Sequence, residues 1–181
     1  MTSVEREAPV PSLEANSVAI LGVGNRLRGD DAIGCIVCDE IQKVEAKVKV
    51  KFGTSTLAST SLFVLDCGST PENYVQPVAV RKPTHILVVD CCHYGAKPGE
   101  FRLFSREEVD GLSYGLLSTH TLPLTLTIEM LSMETGATVE LLGIQPESIE
   151  FGEELSHPVR RALPGVVASV RDWAGEFQTG A

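Results

Sequence analysis

Three aspartates stand where an apolar run that reads as a buried strand gives way to a turn: Asp31, Asp66 and Asp90. A carboxylate at the end of a buried strand is costly unless it is paired, metal-bound or sharing a proton. In an open α/β sheet the ligand crevice lies beyond the carboxyl ends of the strands, so the three acids are expected to converge. His120, in Leu117-Ser118-Thr119-His120-Thr121, falls at the expected N-terminal edge of a helix, where its loop could carry the imidazole to the same rim. A cap or surface role is the ordinary alternative for a lone histidine there. Two carboxylates and an imidazole suit a borderline divalent ion with open positions, and nickel, zinc and iron(II) all fit, zinc being the usual hydrolytic Lewis acid.

Other candidates are poorer. Gly22-Val23-Gly24-Asn25-Arg26-Leu27 has the first two glycines of a dinucleotide loop, but Leu27 replaces the third, and Asp30 and Asp31 would repel a pyrophosphate. Five cysteines, at 35, 38, 67, 91 and 92, are an odd number that argues for free thiols. Cys35 and Cys38 have C-x-x-C spacing but fall inside a predicted helix. Cys91, Cys92 and His93 could join Cys67 in a soft metal site, yet neighbours on a strand point to opposite faces, so buried thiols are the better reading. Ser118 and His120 lack the G-x-S-x-G elbow of a hydrolase triad. His85 and His157 have ordinary turn or capping explanations.

The elements that must position these groups alternate. Ser17 to Gly22 reads as a strand, and Ile33, Ile36, Val37, Ile41 and Val44 recur at helical spacing. Val48 to Phe52 alternates like a short strand, and Gly53 to Ser61 reads as a surface loop. Leu62 to Leu65 forms a strand halting at Asp66-Cys67-Gly68, Pro71-Glu72-Asn73 starts a helix, and His85 to Asp90 is the cleanest buried strand. Phe101 to Phe104 is a further strand, Thr121 to Met133 a helix, and Thr138 to Ile144 the last strand. A final helix starts near His157-Pro158, with a kink or break expected at Pro164-Gly165. This alternation implies a mostly parallel twisted sheet of about five strands with helices on both faces.

The chain has 181 residues, 43% of them hydrophobic, which fits one domain over residues 17–181 with its own core. Residues 1–16, with three glutamates, two prolines and no apolar core, read as a flexible N-terminal arm, neither secretory signal nor anchor. No continuous apolar run reaches membrane-spanning length, and a cytoplasmic location with no membrane partner is expected. A formal charge of −9, from 24 acidic against 15 basic residues, disfavours nucleic acid as a partner.

Five blocks, in order, resemble a known family. Leu21-Gly-Val-Gly-Asn-Arg-Leu-Arg-Gly-Asp-Asp-Ala-Ile-Gly34 is similar to a G-x-G-N-x-L-x-x-D-[DE]-x-x-G signature, and Asp66-Cys-Gly-Ser-Thr-Pro-Glu-Asn73 to D-G-G-S-x-P-E-N, with Cys67 in place of a glycine. Val88-Val-Asp90 with Gly95-x-x-Pro98-Gly99, Ser118-Thr119-His120, and Gly143-Ile-Gln-Pro-Glu147 complete the set. The family is that of the nickel-iron hydrogenase maturation endopeptidases, in particular the branch serving formate-linked and archaeal hydrogenases, and the resemblance runs from about residue 17 to 163. It implies a three-layer α/β/α sandwich. It further implies that Asp31, Asp90 and His120 occupy the metal-ligand positions, with Asp66 and Asp30 beside them as candidate proton acceptors. The implied activity is removal of a C-terminal extension from a hydrogenase large-subunit precursor after nickel insertion, the nickel arriving with that nickel-loaded partner. A general zinc hydrolase and a non-catalytic nickel-dependent carrier are the alternatives.

Overall fold

A computed structural model of the chain describes residues 17–52, 61–111 and 123–177. Among these, β1 (Ser17–Val23) leads through a 3-10 turn at Gly29–Ala32 into α1 (Ile33–Phe52). Next come β2 (Ser61–Gly68), a 3-10 turn at Pro71–Tyr74, α2 (Val75–Ala79), β3 (His85–Cys91), β4 (Phe101–Phe104) and α3 (Arg106–Gly111). After them follow α4 (Leu124–Thr135), β5 (Thr138–Ile144) and α5 (His157–Glu176).

The sheet order is β2-β1-β3-β5-β4. All neighbours are parallel except β4, which runs antiparallel to β5 at the edge. Parallel strands need crossovers, and their helices cover both faces, which is why β1 and β3 are apolar on both sides. On one face Ile20, Leu87, Val89 and Leu142 meet Ile33, Val37 and Ile41 of α1 and Val159, Val166 and Val170 of α5. On the other, Leu21, Ile86, Val88 and Leu141 meet Val75 and Val78 of α2, Val109 of α3 and Leu124, Ile128 and Leu131 of α4. The result is the expected three-layer α/β/α sandwich.

Two expectations fail. Val48 to Phe52 is not a strand, because α1 runs unbroken to Phe52. The alternation of lysine with apolar residues spans too few positions to stop a helix that is already propagating. Of the kink or break expected at Pro164-Gly165, the break does not occur, since Pro164 sits inside one helix of 20 residues. Buried Val159 lies before that proline, and Val166, Val170 and Trp173 lie after it. Their burial on one sheet face holds the helix together against a proline cost of about 3 kcal/mol. The loop expected over Gly53 to Ser61 lies almost wholly outside the described residues, only Ser61 being described, as the first residue of β2.

The strand order reverses direction at β1, whose following crossover leads to β2 on one side while β3 lies on the other. This β1/β3 boundary is the topological switch point, where the connections leave a crevice at the carboxyl ends.

Candidate functional site

The loop after β1 is shaped by close approaches that leave no room for side chains. A Cβ at Gly24, whose φ is +144°, would overlap the Asp31 carbonyl oxygen, and one at Gly34 would overlap the carbonyl oxygens of Val23 and Val89. Glycine therefore lets the start of α1 settle onto the ends of β1 and β3. Asp31, in the intervening 3-10 turn, is thereby brought towards the end of β3, where Asp90 is the last residue but one of the strand. Both acids are almost completely buried, at 2% exposure each. Asp31 Oδ2 accepts from the Asn25 amide at 3.1 Å, and Asp90 Oδ1 from the Cys91 amide at 2.8 Å.

The electrostatic surroundings of the cysteines separate the acids into two groups. Burial, and then the charges of Asp90, Asp31 and Asp30, push the Cys91 thiol far above its ordinary range. Burial followed by the charge of Asp66 pushes Cys38 up to about 12, and burial with the charges of Cys38 and Asp66 does the same for Cys67. Cys91 thus feels the charges of Asp90 and Asp31, whereas Cys38 and Cys67 feel that of Asp66. By strand alternation Asp66 shares a face with Val64, which packs under α1 and α5, and Asp90 shares the opposite face with Val88. Asp66 and Asp90 therefore leave the sheet on opposite faces.

Asp66 instead pairs with Arg26, whose Nη2 donates to it at 2.6 Å while Nη1 donates to Asp39 at 2.8 Å. Burial opposes ionisation of Asp66. Hydrogen bonds from Arg26, Cys35 and the Gly68 amide, with the charge of Arg26, outweigh that and hold its carboxyl below the ordinary value. Its side chain remains 35% exposed.

Asp30 is held by a network of hydrogen bonds. Its Oδ2 accepts from the amides of Glu147 and Ser148 and from the Ser156 hydroxyl, and its Oδ1 from the Ser156 amide, at 2.8, 3.1, 2.8 and 2.7 Å. Four donors end on the carboxylate, three of them on Oδ2, so Asp30 is a clamp joining the first loop to the start of α5.

Cys91 belongs to the core under α1 and α5 and Cys92 to the opposite core, as strand alternation requires. The five cysteines are free and buried. His93 turns to Gln145, a residue that nothing in its sequence block singles out. Gln145 Oε1 accepts from the amides of Tyr94 and Ala96, which fixes the amide orientation and points Nε2 at His93 Nδ1, 3.0 Å away. That nitrogen is then the acceptor and Nε2 carries the proton. Among the described residues no three His, Cys, Asp or Glu side chains form a metal-binding group. His120 and its neighbours Ser118 and Thr119 lie outside the described residues. His85 stacks on Phe177 with ring centroids 3.8 Å apart, and His157 opens α5, both ordinary structural roles.

The fold is a three-layer sandwich with two buried carboxylates, Asp31 and Asp90, in the segments that meet at its switch point. The family model of the HycI hydrogenase maturation proteases matches residues 43–173. A putative hydrogenase maturation protease of Methanocaldococcus jannaschii is 32% identical over 134 residues, covering 74% of this chain and 75% of the relative. The hydrogenase 3 maturation protease of Escherichia coli K12 is 30% identical over 156 residues, covering 86% and 90%. The crystal structure of the [NiFe] hydrogenase maturation protease HycI from Thermococcus kodakarensis superposes with a TM-score of 0.70 at 29% identity, covering 88% of this chain and 93% of that one. This chain belongs to the hydrogenase maturation proteases, a family of peptidases. No helix among the described residues is long and apolar enough to cross a membrane.

Proposed function

We propose that this protein removes the C-terminal extension of a nickel-iron hydrogenase large-subunit precursor, in the cytoplasm, once nickel has been inserted. The observation that carries this reading is the near-complete burial of two carboxylates, Asp31 and Asp90, in the segments at the β1/β3 switch point. Two carboxylates there suit a borderline cation that arrives already held by another protein, because they leave coordination positions for the precursor's own ligands. His120 is the third ligand, by its place in the family block. The precursor's nickel is part of the substrate, and it would polarise the scissile carbonyl or an attacking water.

The chain's own residues orient and receive. Gly24 and Gly34 let Asp31 approach the end of β3, and Asp30 locks that loop to α5. Of the two acids considered as proton acceptors, Asp66 is the one with an oxygen edge open to solvent, and a proton taken there would loosen its pairing with Arg26.

The test mixes the purified protein with precursor, nickel-loaded or nickel-free, and follows the released C-terminal peptide by mass. Release from the loaded precursor alone is expected. Equal cleavage of both would overturn the role of nickel, and stable precursor binding with no peptide released would favour a carrier.

A further inference from the structure

Two large apolar side chains stand in solvent, one on the loop that carries Asp31 and one on the segment hydrogen-bonded to that loop. Leu27 is 56% exposed and Phe151 82%. Their loops are joined backbone to backbone: the Gly29 amide donates to the Gly152 carbonyl at 2.7 Å, the Gly152 amide to the Leu27 carbonyl at 3.0 Å, and the Asp30 amide to the Ser148 carbonyl at 3.1 Å. Arg28 donates from Nε to the Ile149 carbonyl at 3.1 Å, and its guanidinium lies 5.5 Å from the centre of the Phe151 ring. The Asp30 clamp closes the other end of the same pair of loops. Leu27 and Phe151 are therefore held out on a stiff platform, and little ordering is left to oppose binding there.

The ring of charge around them is acidic. Glu147, Glu150, Glu153 and Glu154 are all exposed on the stretch that carries Phe151, and of these Glu154 is paired, with Arg160 at 2.9 Å. An exposed apolar pair with an arginine at its centre and charges at its edge has the make-up of an interface hot spot with a polar rim. The acidic rim selects a partner whose apolar contact is flanked by lysine or arginine.

We infer that Leu27 and Phe151 form a docking knuckle for the hydrogenase large-subunit precursor, gripping an apolar segment of it that is flanked by basic residues. This rests on the function proposed above. Continuity supports it: Leu27 and Asp31 lie on one loop, so a precursor seated on the knuckle presents its next surface to the acid pair. The knuckle fixes where the precursor sits, and the acids act on what it brings.

The experiment measures binding of immobilised nickel-loaded precursor to the wild-type protein, to the Leu27→Ser/Phe151→Ser double variant and to Glu150→Lys/Glu153→Lys, with peptide release and self-association recorded alongside. Circular dichroism confirms that each variant folds. At least tenfold weaker binding by both variants is expected, with KM for cleavage raised and kcat retained. Wild-type binding that is lost in the variants without any peptide release would uphold the docking surface while removing the protease reading. Unchanged binding by the double variant overturns the inference, as does a wild-type protein that does not bind the precursor. A knuckle that instead holds two copies of this chain together, shown by a dimer that the double variant dissociates while precursor binding stays unchanged, overturns it too.

Discussion

Replacing Asp30 with alanine would remove the acceptor of three backbone amides and one hydroxyl at once. The Glu147, Ser148 and Ser156 amides and the Ser156 hydroxyl all end on this carboxylate at 2.7 to 3.1 Å. Hydrogen bonds to a charged group contribute about 1.5 to 3 kcal/mol each, but they do not add when they share one acceptor, and water can enter at a rim. The carboxylate also faces the N-terminus of α5, whose first residues carry unpaired amides and partial positive charge. A net loss of about 3 to 5 kcal/mol follows, near the top of the range for single substitutions. For a domain of this size that corresponds to a fall in Tm of roughly 6 to 20 °C. Asp30→Asn should also destabilise, since an amide NH2 would face one of the donors that now meet oxygen. Urea unfolding of the wild type and both variants measures this. An Asp30→Ala midpoint within about 0.5 kcal/mol of the wild type would refute the clamp and return Asp30 to the acids free to take a proton.

Gly34→Ala places a methyl against the carbonyl oxygens of Val23 and Val89, backbone on both sides, and should cost about 2 to 3 kcal/mol in the same unfolding assay. Cys38, Cys67 and Cys92, pushed up to about 12 from 9.0 chiefly by burial, should resist a thiol reagent at pH 8 in the native protein and react on unfolding. Because the unfolded thiols ionise near 9 while the folded ones stay neutral, their contribution to stability is complete below about pH 9 and is lost as pH rises towards 12, which an alkaline unfolding series reads. Asp66 works in the other direction. Its lowered carboxyl contributes stability that is present above about pH 3.8 and lost as pH falls below it, so Asp66→Asn should flatten the acid limb of the stability profile.

Most strands were legible because burial on both faces writes them as short apolar runs, and His85 to Asp90 could hardly be read otherwise. Val48 to Phe52 was misread because a local alternation of lysine and apolar residues carries no information about the helix already running into it. The close approach of Gly34 to β3 had a sequence signal in the signature spacing, although not its physical reason. Arg26 and Gln145 carried none: Arg26 meets Asp66 across forty positions and Gln145 meets His93 across fifty-two, pairings that exist only once the sheet is assembled. Asp30 and Asp31 look interchangeable in sequence. The fold separates them, turning one into the start of α5 and the other towards the end of β3.

The central claim is that Asp31, Asp90 and His120 recognise nickel in the precursor. Peptide release from nickel-loaded precursor, followed by mass for the wild type, Asp31→Asn, Asp90→Asn and His120→Ala, tests it most directly when thermal unfolding of each protein is recorded in parallel. Release by the wild type alone is expected, with all four proteins folded. Release at the wild-type rate by the three variants would contradict it.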